Sequence, residues 1–266
     1  MDNYNRDYRT NHNAGASSTD LDREFSQMAQ GYGTSAKRTA TRTVSSAYAS
    51  LMQKVYLWMA LALAISALTA YYVATSPTIL YAIVSNALLF WGLFIVEIGL
   101  VLWLSAAFNK ISFRTATLLF LAYAIINGVT LSFIFLAYTP ASITQTFAVT
   151  AGTFAAMALI GSVTKKDLTK LGGILLMALV GLIIASVVNM FLGNSRLDMI
   201  ISCVGVLLFV GLTAYDAQKI KQIMLTYGDG VNDFTQKLAV LGALSLYLDF
   251  INLFLYLLRF FGKARD

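Results

Sequence analysis

Seven runs of about twenty apolar residues, joined by short polar connections, decide what this chain can become. They fall at roughly 52–74, 84–107, 115–137, 143–163, 171–193, 199–220 and 238–260. A helix rises about 1.5 Å per residue, so a run of this length crosses a hydrocarbon layer of about 30 Å. No water enters that layer, so each backbone N–H and C=O must be paired within its own segment, which leaves the helix as the solution. The rest of the chain does not supply the surface of a soluble domain, because 58% of its 266 residues are hydrophobic and only 12% are charged. The expectation is an all-α, polytopic membrane protein: a seven-helix bundle over residues 51–262, solvated by the lipid bilayer. Residues 1–50 are rich in Asn, Ser, Thr, Tyr and mixed charge and lack any apolar run that would build a core. They are expected to form a disordered tail.

The net charge of +6 does not indicate nucleic acid, since the basic residues sit in the tail and at the ends of spans and not along one face. Their placement reads as topology. The connection Ser76–Ser85 carries no charge, the next holds Lys110 and Arg114, and Tyr138–Gln145 is again uncharged. Lys165, Lys166 and Lys170 follow; Arg196 and Asp198 nearly cancel; Lys219, Lys221 and Lys237 flank the last connection. The positive-inside rule then puts the even connections and the N-terminal tail in the cytoplasm. Arg259, Lys263 and Arg265 follow the seventh run and break the rule. Either the C-terminus is exported despite them or the seventh run is re-entrant; a full span is the favoured expectation. No cleavable signal precedes the first run, which is expected to act as the targeting signal.

One histidine, His12, and one cysteine, Cys203, remove zinc clusters, Cys/His pairs, Ser/His triads and intrachain disulfides from consideration. No enzyme activity and no cofactor are expected. Small residues four apart, Gly181 and Ala185, mark an expected close approach of helices.

The acids inside spans carry the chemical information. Glu97, Asp216 and Asp249 all fall within apolar runs, and no Lys or Arg lies at a comparable depth. An ionised group at the bilayer centre costs at least about 2.5 kcal/mol, so each acid must be protonated, hydrated, bound to a cation, or hydrogen-bonded to a neighbour such as Asn127, Asn189 or Asn252. If Asp216 and Asp249 face each other they cannot both ionise cheaply and would share a proton, making the pair a pH sensor. Deprotonated, the pair would offer the hard oxygen ligands that suit calcium. Simple spans place the two at depths differing by roughly 13 Å, a mismatch that shrinks if the seventh helix begins near Phe234. Asp229 and Asp233 lack the ligand spacing of a calcium-binding loop and read as a solvated turn.

Two segments, Gly211-Leu-Thr-Ala-Tyr-Asp-Ala-Gln-Lys-Ile-Lys221 and Ala243-Leu-Ser-Leu-Tyr-Leu-Asp-Phe-Ile-Asn-Leu-Phe254, resemble the Bax inhibitor (transmembrane Bax inhibitor motif) family, as do Val96-Glu-Ile-Gly-Leu100 and Ala124-Ile-Ile-Asn-Gly128. The resemblance covers about residues 50–262. It implies six spans around a central seventh helix, calcium leaking through the middle, and an aspartate pair, here Asp216 and Asp249, whose protonation governs closure. It also implies a basic latch on the second span, for which only Lys110 is available. Glu97 and Asn252 are candidates for lining the pore or its mouth. The expected function is a pH-sensitive calcium-permeable leak channel, with calcium ions and protons as its partners. The alternative is an interaction protein that restrains a membrane partner such as a protease or a cell-death regulator. A third reading, an intramembrane aspartic protease, has only the two aspartates in its favour. A bacterial inner membrane is the expected location.

Overall fold

The structure, a computed structural model, describes residues 49–107, 110–227 and 232–265. The expected tail therefore lies outside the described residues except for its last two, as does Asp229. Seven helices are long and apolar enough to cross a membrane. In chain order the helices are α1 Ala49–Ala74, α2 Pro77–Val84, α3 Ala87–Ala106, α4 Phe113–Leu131, α5 Ile134–Ala137, α6 Pro140–Val163, α7 Thr169–Leu192, α8 Ser195–Tyr227 and α9 Asp233–Phe261. α4 and α5 together make the third span, Phe113–Ala137. The turn between them is where Ser132 N donates to both Gly128 O and Val129 O, and Ser132 Oγ donates to Val129 O.

Helix boundaries follow local chemistry. Asn86 caps α3 by accepting from Leu88 N and Leu89 N. Thr139 precedes Pro140, a residue that needs no N–H at a first turn, and together they start α6. Asn232 and Thr235 form a reciprocal capping box that starts α9. Gly193 ends α7 at φ +60, a left-handed conformation that costs glycine no steric penalty. One expectation needs correction here. The connection Ser76–Ser85 is mostly the helix α2, started by Pro77 and without a buried residue.

α8 has 33 residues and α9 has 29, so at about 1.5 Å per residue both exceed the hydrocarbon layer. Their excess forms the end where the α3–α4, α6–α7 and α8–α9 connections meet, called here the basic end. Gln218, buried in α8, accepts from Leu168 N and donates to Lys166 O, so one amide pins the α6–α7 connection from both sides. Lys221 Nζ donates to Ser162 O near the end of α6, and Lys237 Nζ donates to Ile111 O at 3.0 Å. In the same connection Asp167 accepts from Thr169 Oγ1 and N, which holds its carboxyl below the usual value.

α9 is the central helix. Its most apolar window is 67% buried, against 6% for α3 and 11% for α7. Its rings and hydroxyls meet α4, α6, α8 and α1: Tyr247 lies edge-on to Phe120 and Tyr123, Phe250 to Phe147 and Phe154, and Tyr256 stacks on Phe209. α3 packs on α4 and α7 on α8, and both expose most of their apolar residues, as lipid-facing helices do.

Close approach uses glycines other than the one expected. A Cβ on Gly128 would stand 2.7 Å from Ser66 O of α1, and one on Gly161 would collide with the Ala214 backbone of α8. Around Gly181 there is only open space. A glycine placed among apolar residues serves packing only if its face points inward, and much of α7 points to lipid.

The seventh run is one unbroken helix, α9, from Asp233 to Phe261, long and apolar enough for a full span and without the break a re-entrant segment needs. At its far end Arg259 pairs with Asp198 at the start of α8, its Nε donating to Oδ2 at 2.7 Å. Beyond Gly262 the chain doubles back beside the α5–α6 connection. Lys263 N donates to Ser142 Oγ, Thr139 N to Lys263 O, and Arg265 N and Nη1 to Ala137 O and Phe135 O. Arg259 and Arg265, which break the charge rule, are thus tied to a carboxylate and to a carbonyl.

Candidate functional site: two polar layers on opposite faces of one helix

Asp249 projects from the middle of α9 and is buried. Its Oδ2 has no hydrogen-bond partner in the described structure. One turn earlier on the same face, Ser245 Oγ donates to Asp216 Oδ2 of α8 in a short hydrogen bond. The two carboxyls are within electrostatic reach of each other, and the side-chain hydrogen bond that joins the helices here is the one from Ser245 to Asp216. α9 starts at Asp233, close to the expected Phe234, and α8 runs on to Tyr227. The depth mismatch therefore falls to about one turn, with Asp216 level with Ser245 and Asp249 one turn deeper.

Asp216 and Ser245 also line a cleft of about 80 Å³ between α8 and α9. Its other walls are apolar, from Ile220, Ile223, Met224, Leu238 and Leu241, with Lys219 at the rim. Lys219 Nζ lies 5.7 Å from the Tyr215 ring centroid and acts electrostatically on Asp216. The cleft lies on the basic side of Asp249, and Asp249 itself does not line it.

Other candidates lie elsewhere. Asn252 donates to Leu248 O of its own helix. Asn189 donates to Asp198 at the far end. Lys110 is exposed in the α3–α4 connection, beside the carbonyl that holds Lys237 and about two turns of α9 below Ser245. Among the described residues no cluster of three or more His, Cys, Asp or Glu side chains could enclose a metal ion.

Glu97 belongs to a second polar layer. On α3 it is half-buried and accepts from Thr130 Oγ1 of α4 at 2.6 Å, with the Asn127 side chain also within hydrogen-bonding reach. Asn127 Oδ1 accepts from the hydroxyl of Tyr247, a fully buried residue of α9, at 2.9 Å. That hydroxyl lies 2.6 Å from Ser66 Oγ of α1, which is in turn 2.7 Å from Ala124 O. Three spans, α1, α4 and α9, are thus joined through one tyrosine, and α3 is tied to α4 beside it by the Thr130–Glu97 bond. Sequence reasoning marked Glu97 and Asn127 and missed Tyr247 and Ser66, whose hydroxyls look like ordinary members of apolar helices.

Bacterial relatives match most of the chain. A protein of Borreliella burgdorferi is 49% identical over 215 residues, covering 81% of this chain and 92% of its own length. The inner membrane protein YbhL of Escherichia coli K12 is 46% identical over 214 residues, covering 80% and 92%. A membrane protein of Streptococcus pyogenes serotype M3 is 38% identical over 212 residues, covering 79% and 91%. The profile of the family described as inhibitor of apoptosis-promoting Bax1 matches residues 48–266, the whole bundle with both aspartates and the second polar layer. The chain is multi-pass, built on one buried helix that carries acids, and it belongs to the Bax inhibitor family of membrane proteins.

Proposed function

We propose that the protein is a calcium-permeable leak channel of a bacterial inner membrane whose passage is set by the protonation of Asp216 and Asp249. One observation carries the reading: the unpartnered, buried Oδ2 of Asp249, one turn from the serine-tied Asp216. A carboxyl oxygen buried without a partner costs free energy, and such groups persist where a proton, water or cation uses them. Two carboxylates without a third acid suit passage better than storage, because conduction requires an ion to leave as readily as it enters. Glu97 stands on the opposite side of α9 and is assigned no place on this route.

The test is calcium flux into liposomes as a function of pH. Wild-type flux should vary between about pH 5 and 8, and Asp216→Asn and Asp249→Asn should each flatten that profile. Flux that follows pH equally in both variants would sink the mechanism.

The family's description as an inhibitor of another protein favours a second reading, a membrane protein that restrains a protein partner. Removing residues 1–48 separates the two, since a binding role through the tail loses its partner while the leak survives.

A further inference from the structure

Ser245 and Asp249 are four residues apart and share the face of α9 turned toward α8. Tyr247, two residues from Asp249, points about 200° away at 100° per residue. The rotation that presents Asp249 to α8 therefore places the Tyr247 hydroxyl against α1 and α4, and any rotation that moves one moves the other. Apolar packing alone holds such a rotation loosely in lipid, where hydrophobic burial does not distinguish one apolar face from another. A hydrogen-bonded hydroxyl at a fixed depth does distinguish them.

We infer that Tyr247 is a positioning residue: held between Ser66 and Asn127, it fixes the rotation of α9 that points Asp249 at α8, and it couples that rotation to Glu97 through Asn127. The inference rests on the proposed role of Asp249.

Proton counting on the hydroxyls shows how the coupling works. Ser66 and Tyr247 have one hydroxyl proton each, and Asn127 Oδ1, Ala124 O, Ala62 O and the 2.6 Å contact between the two hydroxyls compete for them. Two arrangements place a proton in that contact. In one, Ser66 donates to Tyr247 and Tyr247 donates to Asn127. In the other, Tyr247 donates to Ser66 and Ser66 donates to Ala124 O or Ala62 O. Ionised Glu97 draws the Asn127 amide toward itself and makes its Oδ1 a better acceptor, which favours the first arrangement; neutral Glu97 releases that bias. An amide does not pass protons along, so the chain transmits orientation and not protons. The titratable groups within electrostatic reach of Glu97 are Tyr123 of α4 and Tyr247 of α9. Its polar neighbours are Thr130 and Asn127 of α4.

Tyr247→Phe removes the hydroxyl and keeps the ring, which remains edge-on to Phe120 and Tyr123 at 5.8 Å. Two measurements on the full chain in liposomes test the inference. In calcium flux, Tyr247→Phe should move the pH midpoint by about half a unit or more, and the size of that shift should change in a Glu97→Gln background. In infrared spectra, with the Asp249 carboxyl band assigned by Asp249→Asn, Tyr247→Phe and Ser66→Ala should both displace that band while helix content stays unchanged. An Asp249 band and a flux midpoint that are the same in wild type and Tyr247→Phe would overturn the inference. If wild type shows no calcium flux, the proposed function fails and the infrared arm alone decides the positioning role: a displaced band supports it and an unmoved band ends it.

Discussion

Asp249 keeps a carboxyl oxygen unpaired in the driest part of the molecule, so the residue is expected to work against stability. Asp249→Leu should raise the thermal stability of the detergent-solubilised protein by about 1–3 kcal/mol, the range for relieving one unsatisfied buried polar group. It should also abolish the pH-dependent flux. Asp216→Leu should stabilise less, because it also strips Ser245 of its acceptor. Intrinsic fluorescence of Trp58, Trp91 and Trp103 during heating measures both. At this scale the sequence exposed the acids and hid their partners. Glu97, Asp216 and Asp249 stood out because no cation shares their depth. Tyr247 and Ser66 did not, since their significance depends on contacts 181 and 58 residues apart in the chain. The sequence left open whether the aspartates face each other and did not mark Ser245, which bonds Asp216; a residue four positions upstream of an acid leaves no mark in composition.

Among the elements, glycine position decides how closely helices meet. Gly161→Val should cost about 1–3 kcal/mol or more, since its side chain must displace the backbone of α8 at Ala214. Gly181→Val should change stability by no more than about 0.5 kcal/mol, because the added atoms enter lipid space. Equal effects in thermal unfolding would contradict the packing described for α6 and α7. The span count and most boundaries were legible because apolar length is a local property. The inward face of each helix was not, because in lipid the inward and outward faces are both apolar and the usual amphipathic period is lost. The start of α9 was partly legible: Phe234-Thr-Gln-Lys breaks the apolar pattern, and the Asn232–Thr235 capping box explains where the helix begins.

For the molecule as a whole, seven crossings put the two ends of the bundle's chain at opposite ends of the helices. The charge rule predicts that the basic end faces the cytoplasm. In a background with Cys203→Ala, a cysteine at Lys263 should react with an impermeant maleimide on intact cells and one at Lys166 should not; the reverse pattern would invert the topology. Arg259 and Arg265 show why the charge rule weakened at the C-terminus, since it counts charges and does not see Asp198 or the Phe135 carbonyl that engage them. The burial of α9 also bears on the order of manufacture. The helix that the others pack around follows the other six spans in the chain, so during synthesis those six emerge while α1, α4, α6 and α8 still lack their common partner. Insertion and folding are then separate events, and the shell of six has to stay open on one side until its axle arrives.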